Sequence, residues 1–459
     1  MQTSLARVLV LSAVTATALS VACSDTGGGK AGPGSGGSAT GSGGSGGAVG
    51  AGGSGGVPGA GGGGSGGAVI VVDAGSGGSN GGSGGVTVPD AGGGDGSGTG
   101  GARADGGGGS NAWTGTWAAS PQGCGGGANG RTLRNIVHTS IGGTSARVRI
   151  SNTFGGGALQ IRDVHVAVRT TGSSIDVATD KALTFNGQPE VTVPARMFAE
   201  SDGAVFDVKP LSDVAISFFV VASGGGTCHA AAWQTNYSVA GNMVSAATLA
   251  GAQTSTSWSY VLNLDVLNPA AEGSVVTLGA SITDGFYAGT DVNKRWPNFL
   301  AARLVMANRA IGVLNQGISA DGVGGAVGRF DRDVLSQPNV KWVIFSDNPI
   351  NDFGRSRPSA DSELQQIKGM MAKAKAKGVK FLCSTMTPYA GAEPGRTQLN
   401  ALLRAVDSGC DGIVPMDMAT SDPANPMRWS AAANSPDGLH PGPSGMEMMA
   451  GAVDLALFK

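Results

Sequence analysis

A serine, an aspartate and a histidine in this chain have the types and the spacing needed for nucleophilic catalysis. Ser281 lies in the turn Gly279-Ala280-Ser281, which directly follows an apolar run at 275–278. Asp437 and His440 form an Asp-x-x-His pair near the end of the chain. Together they supply a nucleophile, a base and a carboxylate that orients the base. This combination indicates a serine esterase.

The elements around these residues alternate between strand and helix from residue 272 onward. The strand candidates are the short apolar runs 274–278, 310–314, 340–346, 379–386 and 412–416. The helical stretches between and after them are 295–306, 326–336, 361–377, 396–407 and 444–457. Apolar strands that are each followed by a helix predict an α/β fold, with a five-stranded parallel sheet covered on both faces.

The carboxyl ends of parallel strands are the edge of such a sheet where ligands bind. Ser281, residues 315–321 and residues 347–352 all follow predicted strands and therefore fall at this edge. Their common placement supports the catalytic interpretation of Ser281.

Residues 112–269 are predicted to form an all-β domain. Apolar and polar residues alternate at 146–150, 164–168 and 214–220, and Gly, Asn, Asp and Ser turns separate such stretches. Short alternating strands at this spacing are typical of a β-sandwich or a jelly roll.

The first 22 residues have the pattern of a signal peptide. Arg7 ends a short charged segment, and residues 8–22 are apolar or small. This stretch is shorter than the roughly 20 apolar residues that a transmembrane helix needs. Cys23 directly follows and resembles the lipidated cysteine of bacterial lipoproteins. We therefore expect an outer-membrane or cell-surface lipoprotein, anchored in the membrane through Cys23, with simple secretion as the alternative.

Residues 23–111 are predicted to be a disordered Gly/Ser-rich tether. Glycine makes up 82 of the 459 residues, and most of the excess lies before residue 112. A segment with so few apolar residues cannot bury enough surface to offset the entropy of ordering it.

Five cysteines fit an exported protein. With Cys23 set aside, Cys124 and Cys228 are the preferred pair, because both lie beside glycines in the predicted β domain. Cys383 and Cys410 are either bonded or free.

No cofactor, metal or nucleic-acid partner is expected. The cysteines and histidines do not have the spacing of a zinc site. The formal charge is -2, and the chain has no basic cluster, so it lacks the electrostatic features of a nucleic-acid-binding protein.

Over residues 272–459 the chain resembles the SGNH (GDSL-type) hydrolases. The Gly-Asp-Ser block of that family aligns with 279–281, its second block with 317–321, its Gly-x-Asn-Asp block with 349–352, and its Asp-x-x-His block with 437–440. The segment Trp117-Ala118-Ala119-Ser120-Pro121 is similar to one in bacterial members that carry an N-terminal β domain. The resemblance implies a flavodoxin-like sheet for a hydrolase domain at 270–459.

The resemblance also implies a role for each matching residue. Ser281 would attack the ester carbonyl, His440 would accept its proton, and Asp437 would orient the imidazole. The oxyanion would be bound by the backbone N–H groups of Ser281 and Ala320 and by the side-chain amide of Asn351.

The sequence departs from the family pattern at three positions around this site. Ala280 replaces an aspartate, and Ala320 and Pro349 replace glycines. An alanine that needs a positive φ is strained, and a proline lacks an N–H. These changes predict altered or reduced activity.

Several other polar residues have more ordinary interpretations. Asp284 and Asp352 are candidates for supporting Ser281 and Asn351, and Asp417 is a competing partner for His440. The remaining histidines, which lie in the predicted β domain, are expected to be structural: His138, His165 and His229.

The sequence thus predicts an exported serine esterase for small acyl esters, with acetyl groups on a polysaccharide as the expected substrate. One alternative is a hydrolase of lipid acyl esters, of the lipase or lysophospholipase type. Another is a surface carbohydrate-binding protein with impaired catalysis, and a purely structural adhesin is the least favoured.

Overall fold

The structure of the protein is a computed structural model that describes residues 113–433 and 435–459. These residues belong to one compact unit. The predicted signal peptide, Cys23 and the predicted tether lie outside the described residues. Among the residues that are described, no helix is both long and apolar enough to cross a membrane.

Residues 113–267, called the β region below, consist of antiparallel strands. Buried and exposed residues alternate at 159–162 and 190–193, whereas residues 132–137 and 261–266 are buried throughout. The strands are β1 Trp113–Ala118, β2 Gln122–Cys124, β3 Arg131–His138, β4 Gly143–Ser151, β5 Leu159–Val168, β6 Lys181–Leu183, β7 Glu190–Val193, β8 Phe198–Glu200, β9 Ala204–Val208, β10 Asp213–Ser223, β11 Gly226–His229, β12 Asn236–Ala240, β13 Gln253–Ser255, β14 Trp258–Ser259 and β15 Val261–Leu267.

Two large antiparallel sheets of the β region share one core. The first has the order β1-β15-β4-β8, with β9 also paired to β4, and the second has the order β13-β12-β3-β10-β5-β6, with β7 also paired to β5. Val148 and Leu264 of the first sheet and Val166 and Ile216 of the second belong to the same buried cluster. The predicted all-β fold is confirmed.

Residues 273–459, called the α/β region below, contain a parallel sheet flanked by helices. The strands are β16 Gly273–Gly279, β17 Ile311–Gly317, β18 Val340–Phe345, β19 Lys380–Ser384 and β20 Gly412–Val414, followed by a hairpin of β21 Ser421–Asp422 and β22 Asn425–Trp429. The helices are α1 Ser281–Asp284, α2 Trp296–Met306, α3 Val323–Phe330, α4 Asn348–Arg355, α5 Ala360–Ala376, α6 Gly395–Arg404, α7 Met416–Thr420 and α8 Pro443–Gly451.

The parallel sheet has the order β17-β16-β18-β19-β20. Counted along the α/β region this is 2-1-3-4-5, which is the order of flavodoxin-like sheets. The strand that follows β16 in the chain, β17, lies on one side of it, and the later strands β18, β19 and β20 lie on the other side. The order of the strands therefore reverses at β16. The predicted five-stranded fold is confirmed, and its switch point lies at the strand that precedes Ser281.

Some helices differ from the sequence prediction. α4 and α7 were not predicted, because each is short and begins where a strand has just ended. The predicted helix at 326–336 is α3 continued by a π-helical turn, Asp331–Leu335. The predicted helix at 444–457 ends early, and a separate 3-10 turn, Leu455–Leu457, follows it with the Asp454 side chain as its cap.

Two disulfides are present among the described cysteines. Cys124 is bonded to Cys228 and joins β2 to β11, as expected. Cys383 is bonded to Cys410, which resolves the alternative that the sequence left open.

The β region covers one edge of the parallel sheet. This edge is β17, which is one of the two terminal strands in the sheet order. The N–H of Val313 in this strand donates to the hydroxyl of Ser140, at 2.9 Å. A side chain at Gly115 would collide with Leu314, and one at Gly312 would collide with the carbonyl oxygen of Gly115. The edge is thus closed by the β region, which removes a site for unwanted strand pairing.

Candidate active site

Ser281 is placed by a tight strand-to-helix turn. β16 ends at Gly279 and α1 begins at Ser281, so only Ala280 separates the two elements. A side chain at Gly279 would collide with Thr283 and Asp347. The turn therefore requires glycine at this position, and it leaves Ser281 only 8% exposed at the carboxyl end of β16.

Asp347 holds this turn from the carboxyl end of the neighbouring strand β18. Its Oδ1 accepts the N–H of Ala280 at 3.0 Å, and its Oδ2 accepts the N–H of Ile282 at 2.8 Å. Oδ1 also accepts the hydroxyl of Thr283 at 2.5 Å. The N–H of Ser281 lies between these two paired N–H groups, and no acceptor for it occurs among the described residues.

His440 is hydrogen-bonded to both of its expected partners. Its Nε2 lies 2.8 Å from Oγ of Ser281, and its Nδ1 lies 2.7 Å from Oδ2 of Asp437. Because a carboxylate can only accept, Nδ1 carries the proton and Nε2 accepts the hydroxyl of Ser281. The three side chains are thus joined in the order that activates a serine.

Asp437 is fixed by its own loop. Its Oδ1 accepts the N–H groups of Leu439 at 3.0 Å and of His440 at 2.8 Å. Partial burial would raise the pKa of this carboxyl, but the hydrogen bonds from His440 and Leu439 outweigh it and hold the pKa below its ordinary value. Asp437 is therefore charged at neutral pH.

Asp417, the competing candidate, faces other groups. It accepts hydrogen bonds from Thr385, Arg404 and Asn400. The structure thus brings His440 to Asp437 and not to Asp417.

The loop between β17 and α3 brings Ala320 to the same edge of the sheet. The N–H of Ile318 donates to the carbonyl oxygen of Gly279 at 3.1 Å, which ties the loop to the turn before Ser281. The side-chain amide of Asn351 donates to the carbonyl oxygen of Asp321 at 3.0 Å. An amide has two N–H bonds, so one remains for another acceptor. Ala320 is exposed, and its N–H has no acceptor among the described residues.

The three departures from the family pattern fit their surroundings. Ala280 is fully buried, and its N–H bonds to Asp347. Ala320 has a φ of 68°, so the expected strain is present, and Arg355 holds its carbonyl oxygen at 2.8 Å. Pro349 lies in the first turn of α4, where a missing N–H breaks no intrahelical hydrogen bond.

Aromatic side chains surround the imidazole of His440. The ring of Phe286 lies 4.5 Å from it and that of Tyr287 6.0 Å, measured between centroids. Trp233 of the β region lies 5.5 Å from Phe286. Tyr287 is 43% exposed. The β region therefore contributes to one wall of the site.

Sequence reasoning missed three members of this arrangement. Asp347 carried a usable signal, since it follows a predicted strand at the carboxyl edge. Trp233 and His229 carried none, because they belong to the β region and reach the site only through packing. His229 lies 2.9 Å from Asp284, which follows Ser281 by three residues. Nowhere among the described residues do three His, Cys, Asp or Glu side chains converge as metal ligands.

The fold and this hydrogen-bonded set define an α/β protein with the geometry of a serine hydrolase. Residues 277–448 match the model of the GDSL-like lipase/acylhydrolase family. The chain therefore carries a GDSL-like lipase/acylhydrolase domain, and it is an ester hydrolase. The predicted resemblance is confirmed.

Several solved structures are similar to part of the chain. A G-D-S-L family protein from Desulfitobacterium hafniense DCB-2 is 22% identical, covers 39% of this chain and 97% of its own, and has a TM-score of 0.34. A GDSL-like lipase from Bacteroides thetaiotaomicron VPI-5482 is 19% identical, with 40% and 88% covered and a TM-score of 0.31. A mutant acetyl-xylooligosaccharide esterase from Geobacillus Stearmophilus is 19% identical, with 40% and 93% covered and a TM-score of 0.33. No curated protein matches the chain.

Proposed function

We propose that the chain is an exported serine esterase that removes small acyl groups, and acetyl groups on polysaccharides in particular. The observation that carries this proposal is the continuous hydrogen-bonded path from Asp437 through His440 to Ser281, with contacts of 2.7 Å and 2.8 Å. Such a path makes a serine hydroxyl nucleophilic at neutral pH.

The proposed reaction has two halves. Ser281 Oγ bonds to the ester carbonyl carbon while its proton moves to Nε2 of His440, and the carbonyl oxygen becomes negative. Collapse of this intermediate breaks the bond to the alcohol oxygen, which receives the proton from His440. A water molecule then attacks the acyl-Ser281 ester by the same route and releases the acid.

The oxyanion is assigned to three donors. They are the free N–H groups of Ser281 and Ala320 and the second N–H of the Asn351 amide. A donor of this kind acts by being in place before charge develops, and losing one typically costs about 10²–10³-fold in kcat.

The surroundings of the three departures favour turnover over the alternative of an impaired binding protein. Ala280 keeps the N–H that Asp347 accepts. Pro349 occupies a position that tolerates proline, and the backbone of Ala320 has the positive φ that the family glycine allows. None of the changes removes an atom that the proposed reaction uses.

The proposals of a polysaccharide substrate and of a cell-surface location are supported by features outside the catalytic residues. Residues 1–22 have the signal pattern, Cys23 is the proposed site of a lipid anchor, and a glycine-rich stretch separates it from the β region. The aromatic residues beside His440 include the exposed Tyr287, a flat surface suited to an extended ligand. A cell-surface esterase for acetylated polymers fits these features, and a lipid acyl ester hydrolase is the alternative.

Hydrolysis of p-nitrophenyl acetate and butyrate by the full chain, beside the Ser281→Ala variant, tests the proposal. We expect turnover that favours acetate and that falls by about 10³-fold or more in the variant, since the nucleophile is gone. Equal rates for a folded variant and the natural chain would overturn the serine mechanism. Acetate release from an acetylated xylan, compared with fatty-acid release from a phospholipid, separates the two substrate classes.

A further inference from the structure

His229 of the β region forms a buried pair with Asp284 of α1. Its Nε2 lies 2.9 Å from Oδ1 of Asp284. His229 is 4% exposed and Asp284 is 2% exposed, so water does not compete for this contact. The pair joins the β region to the short helix that begins with Ser281.

Both nitrogens of the His229 ring face acceptors. Nδ1 lies 2.9 Å from the carbonyl oxygen of Ser120, while Nε2 faces the carboxylate. A neutral imidazole has one N–H, so both hydrogen bonds form only when the ring is an imidazolium. Burial alone would lower the pKa of His229, but Asp284 and the Ser120 carbonyl outweigh it and raise the pKa above its ordinary value. The contact is therefore a charge-assisted hydrogen bond.

The other oxygen of Asp284 reaches the loop that carries Ala320. Oδ2 accepts the N–H of Ser319 at 2.9 Å and its hydroxyl at 2.7 Å. Ser319 directly precedes Ala320, the residue assigned to donate its N–H to the oxyanion. A single carboxylate thus connects α1, this loop and the β region.

Arg295 reinforces the same junction. Its Nε donates to the carbonyl oxygen of Asp284 at 2.9 Å, and its Nη2 donates to the carbonyl oxygen of Ala232. Arg295 is buried and is the N-cap residue of α2. The Asp284 backbone and side chain are therefore each bonded to a group that reaches the β region.

We propose that His229 is a positioning residue for ester hydrolysis, because it fixes Asp284 and thereby orients the Ser319–Ala320 backbone toward the oxyanion. This inference rests on the proposed function. Without the donor at Nε2, Asp284 loses its partner in the β region and can turn away from Ser319. A displacement of about 1 Å at an oxyanion donor costs up to about 10²-fold in rate.

Two substitutions in the full chain test the inference. Both introduce a side-chain amide, and they differ only in side-chain length. In His229→Gln the side-chain amide nitrogen occupies the place of Nε2 and still donates to Asp284. In His229→Asn it occupies the place of Nδ1 and donates only to Ser120. We expect kcat for p-nitrophenyl acetate to fall by about 10–10²-fold in His229→Asn and by less than about fivefold in His229→Gln, with KM within about twofold in both.

His165 provides a matched control in the same region. Its Nδ1 pairs with Asp180 at 3.0 Å, and both residues lie in the β region. Because this contact uses Nδ1, His165→Gln, whose amide nitrogen occupies the place of Nε2, removes a comparable His–Asp contact, and we expect kcat to stay unchanged. Equal losses in His229→Gln and His229→Asn, or a loss in His165→Gln similar to that in His229→Asn, would overturn the inference in favour of a general effect on packing.

Hydrogen exchange provides a readout that needs no turnover. The N–H of Ser319 is bonded to Asp284, so peptides that contain Ser319 should exchange faster in His229→Asn than in His229→Gln. Unchanged exchange in both variants would overturn the inference even if the chain hydrolyses esters. Failure of the proposed function has a different signature, since the natural chain and Ser281→Ala would then hydrolyse equally while the exchange difference remained.

Discussion

Three N–H groups donate hydrogen bonds to the Asp437 side chain. Oδ1 accepts two backbone N–H groups and Oδ2 accepts the imidazole N–H of His440. All three contacts require an acceptor, and only a carboxylate has two acceptor oxygens. The charge of Asp437 therefore decides which nitrogen of His440 carries the proton.

We predict that Asp437→Asn lowers kcat by about 10²–10⁴-fold. The two backbone N–H groups would take the single amide oxygen, so the NH₂ group would face Nδ1 of His440. The ring would then carry its proton on Nε2, where it cannot accept the Ser281 proton. Steady-state kinetics and circular dichroism measure activity and folding, and a folded variant with more than a tenth of the natural kcat would contradict this role.

For individual residues, the sequence predicts the reacting groups better than the residues that position them through hydrogen bonds. Ser281, Asn351 and the Asp437–His440 pair lie in short motifs whose spacing is local, so they are visible in one dimension. The positive φ of Ala320 follows from the glycine that it replaces. Asp347 follows a predicted strand, which places it at the carboxyl edge but does not reveal its contacts with the turn. His229 lies in β11 of the β region, and no local pattern marks it.

The turn between β16 and α1 is the element on which the proposed mechanism depends. The turn consists of residues 279–281. Asp347, which lies outside the turn, accepts the N–H groups of Ala280 and Ile282. Because Asp347 accepts the N–H groups on both sides of Ser281, the Ser281 N–H stays free to bind a ligand. The strand-to-helix turn and the carboxyl end of β18 thus act as one unit.

We predict that Asp347→Asn lowers kcat by about 10–10²-fold while the protein stays folded. The amide would present N–H groups to donors, so at least one of the three contacts at the turn would be lost. Asp417→Asn is the control, since Asp417 also accepts several hydrogen bonds but is bonded to neither Ser281 nor His440. Thermal unfolding and kcat should separate the two, and equal effects on kcat would refute a specific role for Asp347.

The elements of the α/β region follow from its sequence where apolar runs are long. Five strands and the longer helices are evident from their periodicity, although their ends move by a few residues. α4 was missed because it has eight residues and carries Pro349 in its first turn. The sheet order was not derivable from the runs alone, since it depends on how the crossovers pack.

At the scale of the whole molecule, the β region and the α/β region meet through buried polar contacts. Arg329 donates to the hydroxyl of Ser120 at 2.9 Å and to the carbonyl oxygen of Gly279 at 3.0 Å. Ser120 belongs to the Trp-Ala-Ala-Ser-Pro segment that the sequence singled out. The segment therefore marks the junction between the regions, which composition and periodicity alone did not reveal.

Glu363 on α5 makes the stability of the molecule depend on pH. It is 2% exposed, and within the described part of the chain its Oε2 has no hydrogen-bond partner. Burial and the nearby charge of Asp352 raise the pKa of Glu363 to about 7. In the unfolded chain this carboxyl ionises near its ordinary pKa of 4.5, so its contribution to folding stability is lost as the pH rises from there to about 7.

We predict that Glu363→Gln leaves the free energy of unfolding nearly unchanged below pH 4.5 and raises it at pH 8. The increase is at most about 3 kcal/mol, because the variant no longer has to bury a charge. Denaturant unfolding at both pH values measures it. Glu447→Gln changes an exposed carboxyl and should show no such difference, and parallel pH curves for the natural chain and Glu363→Gln would contradict the prediction.

The close contact between Gly115 and Gly312 limits how the β region could be replaced by a β domain from another protein. A side chain at Gly312 would collide with the backbone of Gly115, and the two glycines belong to different regions of the chain. A chimera that joined this hydrolase to a foreign β module would need the same backbone path where the module meets Gly312. The two regions are therefore expected to be exchanged between proteins as a single cassette.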